Sequence, residues 1–210
     1  MAVSTLFRKI GDGYTYYKFY TPTPLGTTPY GEPTMAAIIA DNQTFGGTDV
    51  SGLEVAITRE VIEDKISQEI AAIQKLITGE SATLKITIEA GKLDNLAIAS
   101  GGKPGDITNV VAGSTPRAVY AAKSYLIGGD ATLEFFAILH EVCNSVSPNL
   151  KEYIYAPNCQ TAEGFGWSFK QAEIRKLELS INVLPARQDG FLITGGCSRH
   201  ALMQVLFEYT

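Results

Sequence analysis

From residue 82 to residue 89 the chain alternates without a break, with Ala82, Leu84, Ile86 and Ile88 interleaved with Thr83, Lys85, Thr87 and Glu89. A period of two places one set of side chains on each face of a pleated strand, so this stretch reads as a half-buried strand with an apolar inner face. The same alternation runs from Leu177 to Val183 and, more briefly, through Leu53, Val55 and Ile57 after Gly52. Further strand-like segments are predicted at residues 117–127 and 132–141, parted by the turn residues Gly128, Gly129 and Asp130, and at 153–156, 171–183 and 202–209. One short helix is predicted over residues 92–100, with Leu93, Leu96 and Ala97 on one face and Gly101 and Gly102 as its stop. The sum is a mainly β fold, a sandwich or barrel with a helix at one side.

Two regions resist this reading. Ile62, Ile66, Ile70, Ile73 and Ile77 recur at helical spacing, yet β-branched residues also favour strands, so residues 58–77 read as helix or as strand plus loop. The first fifty residues are of another character. Tyr14, Tyr16, Tyr17, Phe19 and Tyr20 precede Pro22, Pro24, Pro29 and Pro33, a density of proline through which no central strand or helix can run. Residues 1–50 are therefore expected to be an arm or long loop for subunit or inter-ring contacts, and residues 51–210 a β domain. The clustered aromatics either cover the domain's own core or mark an interaction surface.

Composition removes several classes of function. A formal net charge of −5 and a pI near 5.1 oppose a protein that grips nucleic acid, which needs clustered Lys and Arg to displace counterions. No signal peptide is expected, since no apolar run follows Arg8 and Lys9, and no apolar stretch approaches the roughly 20 residues of a membrane-crossing helix. Cys143, Cys159 and Cys197 form no CxxC and read as buried thiols. His140 beside Glu141 and Cys143 is a weak candidate for thiol chemistry, because strand neighbours point to opposite faces; Arg199 and His200 near Cys197 are weaker still. The glycines at 101, 102, 105, 128 and 129 complete no phosphate-binding motif, and Glu63 with Asp64 lacks an oxygen-rich loop for a metal. Trp167 reads as a loop anchor. No catalytic, cofactor-binding or metal-binding residue is expected, and no cofactor.

The segment 52–89 carries a resemblance. Gly52-Leu53-Glu54-Val55, then Lys65-Ile66-Ser67-Gln68 and Ala72-Ile73, then Thr78-Gly79-Glu80 and the alternating run from Ala82 to Glu89 resemble the heart of the bacteriophage tail tube (major tail) protein family. The helix at 92–100 and the strand at 175–184 fall where that family would place them, which favours strand and loop over the isoleucine helix. The resemblance implies a β protomer that forms hexameric rings stacking into the hollow tail tube of a phage virion, assembled in the host cytoplasm. DNA would pass through the lumen without specific binding. The partners it implies are further copies of the chain, the tape measure, the baseplate or tail tip, a terminator and a sheath, with no membrane. The family has no catalytic residues to carry over. Two alternatives stand beside it: a related ring-forming tail, baseplate or injection-system component, and a carbohydrate-binding β module using Tyr153 and Tyr155 near Glu152.

Overall fold

The computed structural model describes residues 13–23, 31–46, 48–64, 74–89, 92–113, 121–127, 133–143, 150–162, 166–167, 176–187, 192–193 and 199–209. Among them the fold is mainly β. The strands are β1 (Gly13–Tyr20), β2 (Thr48–Asp64), β3 (Gln74–Glu89), β4 (Thr108–Val110), β5 (Ala122–Ser124), β6 (Phe135–Cys143), β7 (Leu150–Thr161), β8 (Gly166–Trp167), β9 (Lys176–Val183), β10 (Leu192–Ile193), β11 (Arg199–His200) and β12 (Gln204–Tyr209). Two α-helices accompany them, α1 (Met35–Asp41) and α2 (Leu93–Ala99).

One antiparallel sheet dominates, in the order β1-β6-β7-β9-β3-β2, with β12 beside β7 and β8 beside β9. It curls back on itself. The residues that lead into β2 meet the free edge of β1, where the Tyr17 amide donates to the Gln43 carbonyl at 3.0 Å and the Phe45 amide to the Thr15 carbonyl at 3.2 Å. The strand alternation read from the sequence explains the interior. Leu84, Ile86 and Ile88 of β3 and Leu177, Leu179 and Ile181 of β9 pack with Phe136 and Ile138 of β6 and with Ile98 of α2 in one core. Ala137 and Leu139 point the other way and join Ile38 of α1, Tyr153 and Tyr155 in a second. A strand buried on both faces needs cover on both, and the two helices supply part of it.

β7 changes partner along its length. Its first half lies between β6 and β12 and its last residues pair with β9, and the register against β6 slips between Phe136 and Ile138. Pro157 sits at that slip, where a missing amide costs no ladder bond.

α2 ends as the glycines predicted. Gly101 adopts φ +90°, its amide donates to the Ile98 carbonyl and that of Gly102 to the Ala97 carbonyl, each at 3.0 Å. This pairing satisfies carbonyls that the last turn would otherwise leave open.

The expected arm is corrected in part. Gly13–Tyr20 is a strand of the main sheet, paired with β6 from Gly13 opposite Val142 to Tyr20 opposite Phe135. Its alternation decides this, since Thr15 and Tyr17 are buried on the inner face. α1 was not expected either, although Thr34 caps it by accepting from the Ala37 amide and Asn42 closes it at φ 50°. Residues 58–64 and 74–77 are strand and not helix. Of the segment predicted at 117–127, Ala122–Ser124 is strand and residues 125–127 are irregular. The turn at 128–130 lies outside the described residues.

Candidate assembly surface

Among the described residues, the side chains that the sequence marked for chemistry are spent on structure. His140 is buried, its Nδ1 2.8 Å from the Thr15 hydroxyl. Glu141 is buried on the opposite face and pairs with Lys151 at 2.8 Å. Cys159 lies wholly inside the core, and burial pushes its thiol well above the ordinary thiol range, so no thiolate is available. The side chains of Cys143, Trp167, His200, Glu63 and Asp64, and Cys197 altogether, lie outside the described residues. Among the described residues no group of three His, Cys, Asp or Glu could hold a metal ion, and no helix is long and apolar enough to cross a membrane. Tyr153 and Tyr155, the aromatics of the carbohydrate alternative, are buried, and the Tyr155 hydroxyl donates to the Pro33 carbonyl. They present no stacking face to a sugar.

The surface that stands out is made by strand length. β2 has 17 residues and β3 has 16, whereas β9, the strand beside them, has 8. Pairing between β3 and β9 stops at Ala82 opposite Val183. Ile57 lies opposite Ala82 in that last row, and from there Thr58 to Asp64 and Gln74 to Ser81 continue as a two-stranded ribbon beyond β9, with neither strand pairing to a further strand among the described residues. Isolated two-stranded ribbons are marginal in water, and an unpaired edge is a template for another strand.

The ribbon also carries the core face outward. Leu53 and Val55 of β2 pack on the main core, and the next residues on the same face, Ile57 and Val61, are 51% and 48% exposed. Between them Arg59 pairs across the ribbon with Glu80 at 2.8 Å, an exposed pair that fixes register more than it adds stability. Covering Ile57 and Val61 would gain about 1 kcal/mol each, because roughly half of each side chain is already shielded.

A second apolar surface lies near the end of α2. Leu126 is 86% exposed, and Ile127 and Leu133 are exposed as well, whereas Val111, 70% exposed, lies at the other end of the β4–β5 pair. The backbone beneath is held firmly: Tyr125 Oη stands 2.8 Å from Ser100 Oγ, the Glu134 amide donates to the Gly101 carbonyl at 3.0 Å, and Lys103 pairs with Glu134 at 2.8 Å. Large apolar side chains on an anchored segment are a docking platform in physical terms.

Neither surface was named from the sequence. The signal for the first was present in the length of the alternation from Leu53 to Val61, which the isoleucine spacing beyond it obscured. Leu126, Ile127 and Leu133 of the second fell within segments read as strand, where exposure could not be seen.

No family model matches the sequence, and no curated protein matches it. Among the solved structures that match, a chain in the anti-feeding prophage baseplate is 10% identical, covering 94% of this chain and 93% of that one at a TM-score of 0.45. A chain in the virion of the native gene transfer agent particle is also 10% identical, covering 76% of this chain and 88% of that one at a TM-score of 0.36.

Proposed function

We propose that this chain is a structural subunit of a phage-type tail, whose copies close head to tail into hexameric rings that stack as a hollow tube for DNA. The observation that carries the reading is the β2–β3 ribbon, which runs past its sheet with apolar residues exposed on the core-facing side. A monomer has no use for such an extension. A second copy covers its apolar face and pairs its edges, and because the ribbon meets a different surface of that copy, the contact propagates instead of ending at a dimer.

The strand-loop-strand resemblance of residues 52–89 to the tail tube family supports the same assignment, and the net charge of −5 suits a conduit that should not bind a polyanion. The chain then acts by assembling and not by catalysis, in the virion, in contact with tape measure, terminator and tail-tip or sheath proteins. Of the first fifty residues, those outside β1, α1, the Gln43–Phe45 seam and β2 add contacts between rings.

Negative-stain microscopy of the purified chain tests this. Long hollow tubes with six-fold end views are expected. Isolated rings would move the assignment to a baseplate-type component, and a monodisperse monomer at high concentration would overturn it.

A further inference from the structure

We infer that the main sheet forks at the end of β9, and that the fork receives residues 2–10 of a neighbouring copy as an added strand. The inference rests on the assembly reading above and names the segment that the ribbon meets.

The registers place the fork. Phe19, Phe136, Cys159, Val183, Ala82 and Ile57 stand in one row across the sheet, and β9 ends at that row. Past it, the edge of β7 that held β9 is taken by β12, from Gln204 opposite Tyr155 to Tyr209 opposite Leu150. β12 thus stands where β9 would have continued, while the chain that leaves β9 turns to the other face and buries Ala186 beside Ile38. β3 also runs on past the row, yet among the described residues no ladder joins it to β12. Two open edges therefore border one gap in the strand order, Gln204–Tyr209 on one side and residues 74–81 of β3 on the other.

Exposed side chains mark the same gap. His140, Ile154 and Val205 form a row four residues past Phe136 along β6, and Val61 lies four residues past Ile57 along β2, which runs the same way as β6. Val205 is 49% exposed and Val61 48%, both on the face that forms the main core in β6 and β3. A strand laid in the gap would satisfy both edges and cover both valines, as an extended peptide does when it adds to a sheet.

The occupant is argued from place, composition and charge. Gly13 shares a row with Val142, Glu152 and Phe207, so the chain enters β1 at the open mouth of the fork. Residues 2–10 contain neither Pro nor Gly, and Val3, Thr5, Phe7 and Ile10 favour strand. Their charges are Arg8 and Lys9. The ribbon past the row holds Glu60, Glu63, Asp64 and Glu80 against Arg59 and Lys75, and β12 adds Glu208, so the signs are complementary. Donor segment and acceptor fork are different surfaces of one chain, and their exchange between copies runs head to tail.

The test uses the full-length chain with Cys143→Ser and Cys197→Ser, leaving the buried Cys159, and a bismaleimide cross-linker. Phe7→Cys and Val205→Cys are made singly and together. Neither single variant alone should cross-link, an equal mixture of the two should give dimers only, and the double variant should give a ladder of higher species. Val205→Cys forming dimers with itself would overturn the inference in favour of β12 pairing with β12. A double variant that cross-links only within one chain would overturn it by placing residues 2–10 in their own fork. Tubes that assemble normally while neither mixture nor double variant cross-links would overturn it and leave the assembly reading standing, whereas no assembly at all would remove both. Phe7→Cys with Val61→Cys gives a second pair, on the other side of the fork, if Val205→Cys fails to fold. Arg8→Glu with Lys9→Glu in the Phe7→Cys chain should lower the dimer yield several-fold, as should added salt.

Discussion

His140 leans on Gly13: a Cβ built on that glycine would stand 2.5 Å from Cε1 of the imidazole, while Nδ1 of the same ring lies 2.8 Å from the Thr15 hydroxyl. The first residue of β1 and a buried ring of β6 therefore share one space, and the absence of a side chain at position 13 is what lets β1 lie flat on β6. Gly13→Ala should cost about 1–3 kcal/mol through overpacking. In a His140→Ala background the same change should cost markedly less, because the obstructing ring is gone. Urea unfolding of the four chains of this double-mutant cycle measures the coupling.

Truncation tests where the domain begins. Removing residues 1–34 takes away β1, which pairs with β6 along its whole length and buries Tyr17 in the core. The truncated chain should lose its cooperative thermal transition or become insoluble. A sharp melt near that of the full chain, followed by circular dichroism, would show instead that the domain starts after β1.

Alkaline pH should weaken the fold. Tyr20 is held above the ordinary phenol value of 10.0, first by burial and then by Glu32, and Cys159 above 9.0 by burial. Both are neutral in the folded chain at pH values where the unfolded chain releases their protons, so their contribution is complete below about pH 9 and falls as pH rises. Each group can add a slope of up to about 1.4 kcal/mol per pH unit. Tyr20→Phe, which also gives up the 2.9 Å hydrogen bond to Asn158, should be less stable at pH 7 but lose less between pH 10 and 11. Chemical denaturation across that range checks it.

Assembly should be separable from folding. Ile57→Asp and Leu126→Asp place a charge on exposed positions outside the core, so melting temperature should change little. Tube length in micrographs and the sedimentable fraction should fall sharply for both. Arg59→Ala, which breaks an exposed ion pair, should cost less than about 1 kcal/mol and serves as the control.

The β core was legible where a strand keeps one face to water and writes that fact as alternation, as in β3 and β9, whereas β6, buried on both faces, showed only as an apolar run. α2 was legible from its glycine stop. β1 was harder: its five aromatics blur the alternation, since Tyr14 and Tyr16 are apolar enough to read as inward while lying on the outer face. The prolines that follow hid α1, though Thr34 ahead of an apolar run and Asn42 behind it are ordinary helix limits. The exposed ribbon could not be found by pattern alone. Ile57 and Val61 follow the same rule as Leu53 and Val55, yet Ile57 sits in the last row that β9 reaches and Val61 beyond it, and the end of β9, a strand more than a hundred residues later in the chain, is not written in the alternation of β2.

The seam between Thr15–Tyr17 and Gln43–Phe45 bears on the order in which the chain folds. β1 must find β6 across a separation of 125 residues at Thr15 and His140, whereas the seam joins Thr15 to Phe45, 30 residues on. Loop-closure entropy grows with the logarithm of length, which favours the nearer partner by about 1 kcal/mol. β1 should therefore be in place against the chain that enters β2 early in folding, with the tilted rings of Tyr17 and Phe45 already in contact, 4.6 Å between centroids, before β6 arrives. The last contact made in space around the barrel would then be among the first made in time.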